Sequence, residues 1–400
     1  MIETLDVDQL EPGMFVNSVL KQKGRKKIKT KGWVRTAEAI ESLKRSGILV
    51  VTVDTDKRLP GEDEQEEPEE EPIEEDEEDE MVDGKIPIKK ELIRAEDIYR
   101  EAKVLQRKAL SCLKSDLPID VGSFIDIGGN MVNSVFRNHD ALSFMTRIRS
   151  KDEYLLEHSI NVAILMAIFG KFLEMDKQTI LSITIGALLH DIGKIKVPDE
   201  ILNKPGKLTE EEFCEMKMHV VHGRNALLEH DVDELTLEVA AFHHEKLDGT
   251  GYPHALDADE LSIYARMIAI CDVYDALTGD RCYKDGMPPV AALKILRKDS
   301  GPHFDTDLVN KFINCMGVHP VGSLVKLKSD KIGLVMESNK AEPLRPIVKT
   351  FYSTKFYRYT EIRDINLADP KISDDIESPA KAEEYKIDLH RFVNTVLFSS

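Results

Sequence analysis

The sequence predicts a multidomain, mainly α protein, in which an all-α helical domain lies between a small N-terminal α+β unit and a small C-terminal β appendage. A chain of 400 residues is too long to form one ordinary hydrophobic core, which favours two or three domains. From Lys151 to Val318 the chain reads as helix after helix, punctuated by proline and glycine, whereas short strand-like runs occupy both ends. We expect an N-terminal domain at 1–60, an acidic linker at 61–84, connecting helices at 85–148, the helical domain at 149–318 and the appendage at 319–400.

The N-terminal unit combines turn, helix and strand signals. Pro12-Gly13 indicates a turn before Met14-Phe15-Val16, and a helix is predicted from Thr36 to Leu43. The β-branched run from Ile48 to Val53 is typical of a buried strand. The basic stretch from Lys21 to Lys31 favours a solvated loop over a nucleic-acid patch, because aromatic residues are scarcely interleaved with it.

An acidic segment dominates the charge of the whole chain. Glu62 to Glu80 carries 15 acidic residues and no basic one, which leaves about −4 of the formal net charge of −19 for the rest. Such a run repels itself and has almost nothing to bury, so it predicts a disordered linker. Without a basic surface the chain is not expected to bind duplex nucleic acid, and a nucleotide ligand would have to be held locally.

Two helices are predicted between the linker and the helical domain. Apolar residues at helical spacing predict one from Ile88 to Leu113, and a second stretch runs from Val121 to about Arg147. We expect both to pack on the helical domain rather than to carry chemistry. The appendage has three strand-like runs and an amphipathic last segment, at Val321–Leu327, Ile332–Glu337, Pro346–Tyr352 and Tyr385–Phe398.

Cysteine usage and hydropathy predict a cytoplasmic protein. The cysteines are Cys112, Cys214, Cys271, Cys282 and Cys315, and no CxxC spacing suggests a disulfide framework or a thiolate zinc site. The first residues lack the basic start and apolar core of a signal peptide. The longest apolar stretch, Ile160–Phe169, is well short of the roughly 20 residues that span a bilayer.

The dipeptide His190-Asp191 directly follows the apolar run from Ile180 to Leu189. Burying an unpaired polar group costs about 2 to 7 kcal/mol, and an unpaired charge costs more. A bound cation would offset this cost. The helical domain also holds other residues of the types that ligate metals, namely His158, His219, His243, His244 and Asp272.

Histidine nitrogen and carboxylate oxygen without thiolate suit iron, manganese, zinc or a similar divalent ion, and a carboxylate can bridge two such ions. Each of these residues alone is more typical of a core or surface position than of a ligand. The joint pattern H…HD…H…HH…D is what indicates a metal site.

This pattern, with the segment from His243 to Pro253 (HHEKLDGTGYP), resembles the HD-GYP phosphodiesterases, a branch of the HD metallohydrolases. The resemblance runs from about Tyr154 to about Val318 and includes Ala265-Arg266 and the segment from Asp272 to Thr278. It implies an HD-type helical bundle. The N-terminal unit is similar to the domain of unknown function that often precedes HD-GYP domains.

The resemblance implies two metal sites that share one ligand. His158, His190, Asp191 and Asp272 would hold the first ion, and Asp191, His219, His243 and His244 the second. Some family members hold a third ion with a glutamate four residues before the first histidine. That position is Tyr154 here, so we expect two ions, with iron or manganese as the implied metal.

The implied activity is hydrolysis of cyclic di-GMP to linear pGpG, and sometimes on to GMP, in bacterial cytoplasmic signalling. Two metals can supply a bridging hydroxide and neutralise phosphate charge. Asp191 and Lys194 are the predicted catalytic residues. Lys194, Tyr252, Arg281 and Lys284 are the predicted substrate contacts. The family also implies a GGDEF-domain partner and a homodimer. Asp248 is expected to orient a histidine.

Three other functions remain open at this stage. The substrate could be cyclic GMP-AMP, because contacts to the bases decide between the two dinucleotides. A non-catalytic receptor or scaffold for cyclic di-GMP would be favoured by a degenerate ligand set, whereas the set in this sequence is complete. A different HD hydrolase acting on nucleotides or phosphorylated metabolites is disfavoured by the GYP segment.

Overall fold

The computed structural model describes residues 2–10, 14–22, 32–34, 40, 44, 48–54, 85–147, 154–279, 286–339, 341–389, 392, 393 and 396. They belong to two compact units, Met1–Glu78 and Asp79–Ser400. The predicted acidic linker at 61–84 lies outside the described residues, and of the helix predicted from Thr36 to Leu43 only Ile40 is described. Across these ranges, no helix combines the length and the apolar character that crossing a membrane requires.

The first unit contains an antiparallel sheet. Its strands are β1 (Ile2–Asp6), β2 (Phe15–Gln22), β3 (Gly32–Trp33) and β4 (Ile48–Asp54), in the order β1-β4-β2-β3. The predicted strand at 48–53 is therefore confirmed, and it pairs with both β1 and β2. This unit has its own apolar core, which contains Val7, Leu10, Val16, Val34, Ile40, Val51 and Val53.

Helices make up most of the second unit. They are α1 (Ile88–Lys114), α2 (Val121–Met145), α3 (Tyr154–Phe172), α4 (Lys177–Leu189), α5 (Asp199–Leu202), α6 (Glu210–Leu228), α7 (Glu234–Phe242), α8 (Ile263–Thr278), α9 (Pro289–Asp299) and α10 (Thr306–Met316). The two connecting helices predicted from the apolar spacing are confirmed as α1 and α2, to within two residues at each end. Both contact α4 or its neighbour α3, as expected.

Helix α4 lies at the centre of this unit. Asp176 starts it by accepting a hydrogen bond from the Thr179 backbone N–H at 2.9 Å. Its apolar residues surround the whole helix rather than one face, which is typical of a buried helix. His190 caps the C-terminal end of this helix, and Asp191 follows it. Because the helix is buried, both polar residues lie in the interior of the unit.

The C-terminal strands form a second antiparallel sheet. Its strands are β5 (Leu324–Leu327), β6 (Lys331–Glu337), β7 (Ile347–Ser353), β8 (Arg358–Asn366) and β9 (Ile376–Pro379), in the order β8-β7-β6-β5-β9. Side chains of β5 to β7 belong to the same apolar core as the helices. In the predicted amphipathic last segment, Phe392 stacks on Phe351 at 3.9 Å between ring centroids. The mainly α, multidomain fold class is confirmed, whereas the domain boundaries stay predictions.

Candidate metal centre

Five helices bring the seven predicted metal ligands together. His158 lies on α3, His190 and Asp191 follow α4, His219 lies on α6, His243 and His244 follow α7, and Asp272 lies on α8. Six of the seven are buried, and the His244 side chain is one quarter exposed. Their ligand atoms form two sets, and within each set the atoms lie within 4.8 Å of one another, a spacing that could hold a metal ion.

Asp191 lies between these two sets and directs one oxygen to each. Its Oδ2 is 3.6 Å from Nε2 of His158 and 3.4 Å from Nε2 of His190. Its Oδ1 is 3.5 Å from Nε2 of His219 and 3.8 Å from Nε2 of His243. A carboxylate in this position has the geometry of a ligand shared by two ions.

The acidic group, which we define as His158, His190 and Asp272, carries additional negative charge. Nε2 of His158 lies 2.9 Å from Oδ1 of Asp272, and its Nδ1 lies 2.8 Å from Oδ2 of Asp275. Burial opposes a charge on His158 and is the largest single influence. The hydrogen bonds with Asp272 and Asp275 together outweigh it and raise the pKa of His158 to about 9.

The histidine group, which we define as His219, His243 and His244, has the opposite electrostatics. Burial lowers the pKa of His219 to about 4 and that of His244 to about 3, and it holds the pKa of His243 well below the ordinary value. These imidazoles are therefore neutral at pH 7, which is the form that binds metals.

Backbone carbonyls fix the ring orientation of three ligands. Nδ1 of His190, His219 and His243 lies 2.6 to 2.8 Å from the carbonyl oxygen three residues earlier on its own helix. When Nδ1 carries the proton, Nε2 is the nitrogen with the free lone pair. Each ring therefore presents an unprotonated Nε2 to Asp191.

A glycine permits the close approach of α6 to the segment after Asp191. A Cβ added to Gly193 would lie 2.0 Å from the His219 carbonyl oxygen and 2.5 Å from the Gly223 backbone nitrogen. Any side chain at position 193 would push α6 away and would take His219 out of reach of Asp191.

The nitrogen and oxygen atoms at this centre are suited to a cation, as the expectation of a metal site requires. Nε2 of His190 and Oδ1 of Asp191 are buried and have no hydrogen-bond partner in the described part of the chain. Native proteins rarely leave such atoms unsatisfied. Burial is the largest influence on Asp191 and opposes its charge, yet Lys194 and His190 hold the pKa of its carboxyl well below the ordinary value. An ionised carboxylate and a free imidazole lone pair are ligands for a divalent ion.

Two of the predicted substrate contacts lie at this centre, and two lie outside the described residues. Nζ of Lys194 donates to Oδ2 of Asp191 at 2.5 Å. The Tyr252 ring centroid is 4.7 Å from that of His244. Arg281 and Lys284 belong to the undescribed segment 280–285.

The loop that carries Tyr252 is held by acids that are not metal ligands. Glu245 is buried and accepts hydrogen bonds from the backbone N–H groups of His254 at 2.7 Å and Leu256 at 3.1 Å. Asp248 accepts from the backbone N–H and the hydroxyl of Thr250. Asp248 therefore shapes the loop, and the ring that it approaches is His303, at 3.8 Å.

Sequence reasoning missed Asp275 and Glu245. Asp275 follows Asp272 by three residues on α8, so both face the same neighbouring helix, and this spacing is a signal that the sequence contains. Glu245 directly follows the histidine pair, and its role depends on a loop that returns to it about ten residues later. Local spacing therefore gave no signal for Glu245.

Comparison with known proteins gives two matches to family models. The HD domain matches residues 143–308, and a domain of unknown function (DUF3391) matches residues 2–124. A solved structure of an HDG"Y"P protein from Bdellovibrio bacteriovorus covers 78% of this chain and 98% of its own, at 18% identity and a TM-score of 0.47.

Two curated relatives cover very different shares of the chain. A cyclic di-GMP phosphodiesterase of Pseudomonas aeruginosa is 34% identical over 358 residues, which are 89% of this chain and 86% of that protein. A 3′3′-cGAMP-specific phosphodiesterase of Vibrio cholerae is 43% identical over 123 residues, which are 30% of this chain and 24% of that protein. The first alignment covers most of both chains, so this protein belongs to the HD-GYP family of HD-domain phosphodiesterases.

Proposed function

We propose that this protein is a metal-dependent cyclic dinucleotide phosphodiesterase that hydrolyses cyclic di-GMP to linear pGpG. The observation that carries the proposal is the carboxylate of Asp191, which directs one oxygen to each ligand group. The cyclic di-GMP phosphodiesterase that aligns over 89% of this chain supports the same substrate.

The proposed cofactor is a pair of divalent ions, iron or manganese. The acidic group with Asp191 would hold one ion, and the histidine group with Asp191 would hold the other. Such ions neutralise phosphate oxygens and acidify water, so that hydroxide is available at neutral pH.

The protein's own residues bind and orient the substrate in this proposal. Lys194 is a cation beside the shared carboxylate, so an incoming phosphate oxygen can accept a hydrogen bond from its ammonium. Tyr252 lies over His244, at the exposed side of the centre. Burial raises the pKa of the Tyr252 hydroxyl above its ordinary value, so it stays a hydrogen-bond donor. Arg281 and Lys284 are further proposed phosphate contacts.

Cyclic GMP-AMP is the second candidate substrate. Three relatives from Vibrio cholerae named as 3′3′-cGAMP-specific phosphodiesterases match 30% to 38% of this chain, at 36% to 43% identity. The two substrates differ in one base, so contacts to the bases decide the preference. A GGDEF-domain partner, a homodimer and a cytoplasmic location are also part of the proposal.

Anaerobic purification with Fe(II) or Mn(II), followed by metal analysis and product chromatography, tests this function. We expect about two ions per chain and conversion of cyclic di-GMP to pGpG. Protein that contains both ions but leaves cyclic di-GMP and cyclic GMP-AMP intact would contradict the proposal. Turnover of cyclic GMP-AMP alone would move the assignment to the second candidate.

A further inference from the structure

The start of α6 presents an exposed aromatic ring and a cation beside the metal centre. Phe213 and Lys217 are four residues apart, on the same face of the helix. Phe213 is 46% exposed, so part of its ring surface is open to solvent. We call Phe213, Lys217 and Tyr252 the rim patch.

The rings of the rim patch lead outward from the ligands. The Tyr252 ring centroid lies 4.7 Å from that of His244 and 6.5 Å from that of His219. The Phe213 centroid lies 6.1 Å from that of Tyr252, at an interplanar angle of 86°. Phe213 therefore lies one ring further from the predicted metal ligands than Tyr252 does, and it is partly exposed to solvent.

Lys217 places a positive charge against both rings. Its Nζ lies 5.3 Å from the Phe213 centroid and 6.0 Å from the Tyr252 centroid. Within the described ranges this ammonium is in no ion pair, although the neighbouring Lys204 pairs with Glu212 on the same helix. Lys217 is thus available to an anion that enters over the rings.

Helix α6 holds this pair rigidly. Thr209 and Glu212 form a capping box at its start, and the Phe213 backbone N–H donates to the Thr209 carbonyl at 2.9 Å. His219 of the histidine group lies two residues after Lys217. The same helix therefore fixes the distance from the rim patch to the metal centre.

We propose that the rim patch binds the half of the cyclic dinucleotide that is not being cut. This inference rests on the proposed function. Phe213 stacks on a purine base, since every base offers a π-face to an exposed ring. Lys217 neutralises the second phosphate, which remains anionic while the first lies at the metal centre.

Phe213→Ala and Lys217→Met, assayed with two substrates, test the inference. Base stacking and a charged phosphate contact are each worth a factor of roughly ten or more in affinity, so each variant should raise KM for cyclic di-GMP about tenfold and leave kcat within about twofold. Bis(p-nitrophenyl) phosphate has neither a purine nor a second phosphate, so its kcat/KM should be retained. Phe213→Trp and Lys217→Arg should restore the low KM for cyclic di-GMP.

Matched controls come from the same region. Leu228→Ala removes an equally exposed apolar side chain, 52% exposed, from the other end of α6, and Lys207→Met removes an exposed lysine. Both should match wild type with both substrates. Metal content and the thermal midpoint of every variant are measured alongside the kinetics.

Two results would overturn this inference and leave the proposed function unaffected. In the first, wild type cuts cyclic di-GMP and both rim variants keep its KM. In the second, the rim variants lose activity equally with both substrates, which would make the patch a support for the metal centre. A wild-type protein that cuts bis(p-nitrophenyl) phosphate but no cyclic dinucleotide refutes the proposed function itself, and the inference with it.

Discussion

The two ligand groups on either side of Asp191 differ in charge and in access. The acidic group has Asp272 as a ligand and Asp275 behind His158, and all of its members are buried. The histidine group consists of three imidazoles beside the carboxylate of Asp191, and His244 gives it a solvent-facing side. We expect the acidic group to hold its ion more tightly and the histidine group to lie closer to the substrate. The two sites that would share Asp191 are therefore expected to be unequal.

Asp191→Ala should have the largest effect, because it removes the ligand that both groups share. Metal ions contribute several kcal/mol to such reactions, so we expect turnover to fall by about 10³-fold or more. Metal analysis should show a loss at both sites. His222→Ala is the matched control, since His222 lies one turn after His219 and outside both groups. Retention of one full equivalent of metal in Asp191→Ala would show that the groups bind independently.

Asp275→Asn should lower the metal affinity of the acidic group and leave that of the histidine group unchanged. It weakens the acceptor that orients His158, and loss of such a partner typically costs about 10- to 100-fold in metal affinity. We expect a chelator titration followed by metal analysis to show one weakened ion and one unchanged ion. Asp307→Asn, which changes an exposed carboxylate at the start of α10, is the control. Equal weakening of both ions would contradict the difference between the groups.

Lys194→Met should have the smallest of these effects and should leave both ions in place. Its ammonium makes one hydrogen bond to the carboxylate of Asp191, and one charged hydrogen bond is worth about 1.5 to 3 kcal/mol. We expect kcat to fall about tenfold, with the metal content unchanged and partial recovery in Lys194→Arg. A loss of metal in Lys194→Met would mean that Lys194 positions Asp191 rather than acting on the substrate.

Local patterns predicted those parts of the fold that have clear periodicity. Helices α1 and α2 and strand β4 lie where apolar spacing indicated them. Strand β8 was not predicted because it is an edge strand whose residues are mostly exposed, so it has no alternation of apolar and polar side chains. Strand β9 has four residues and ends at Pro379, which is too short a signal in a single sequence.

The clustering of the predicted ligands could be foreseen from the sequence, but the contacts that orient them could not. The spacing of histidines and aspartates identified seven residues, and the structure brings all seven together. Asp248 was expected to orient a histidine, whereas backbone carbonyls orient His190, His219 and His243. A carbonyl exists at every position, so the residue types give no sign of which one accepts the N–H.

Helices α4 and α7 both end at predicted metal ligands, because His190 and His243 are their C-terminal caps. A helix end of this kind carries about half a negative charge, and two of them meet here beside Asp191 and Asp272. These partial charges add to those of the two carboxylates and favour a cation at this position. Bound divalent ions would therefore neutralise the ends of two helices as well as the side chains. The thermal midpoint of the protein should consequently rise when it is loaded with metal.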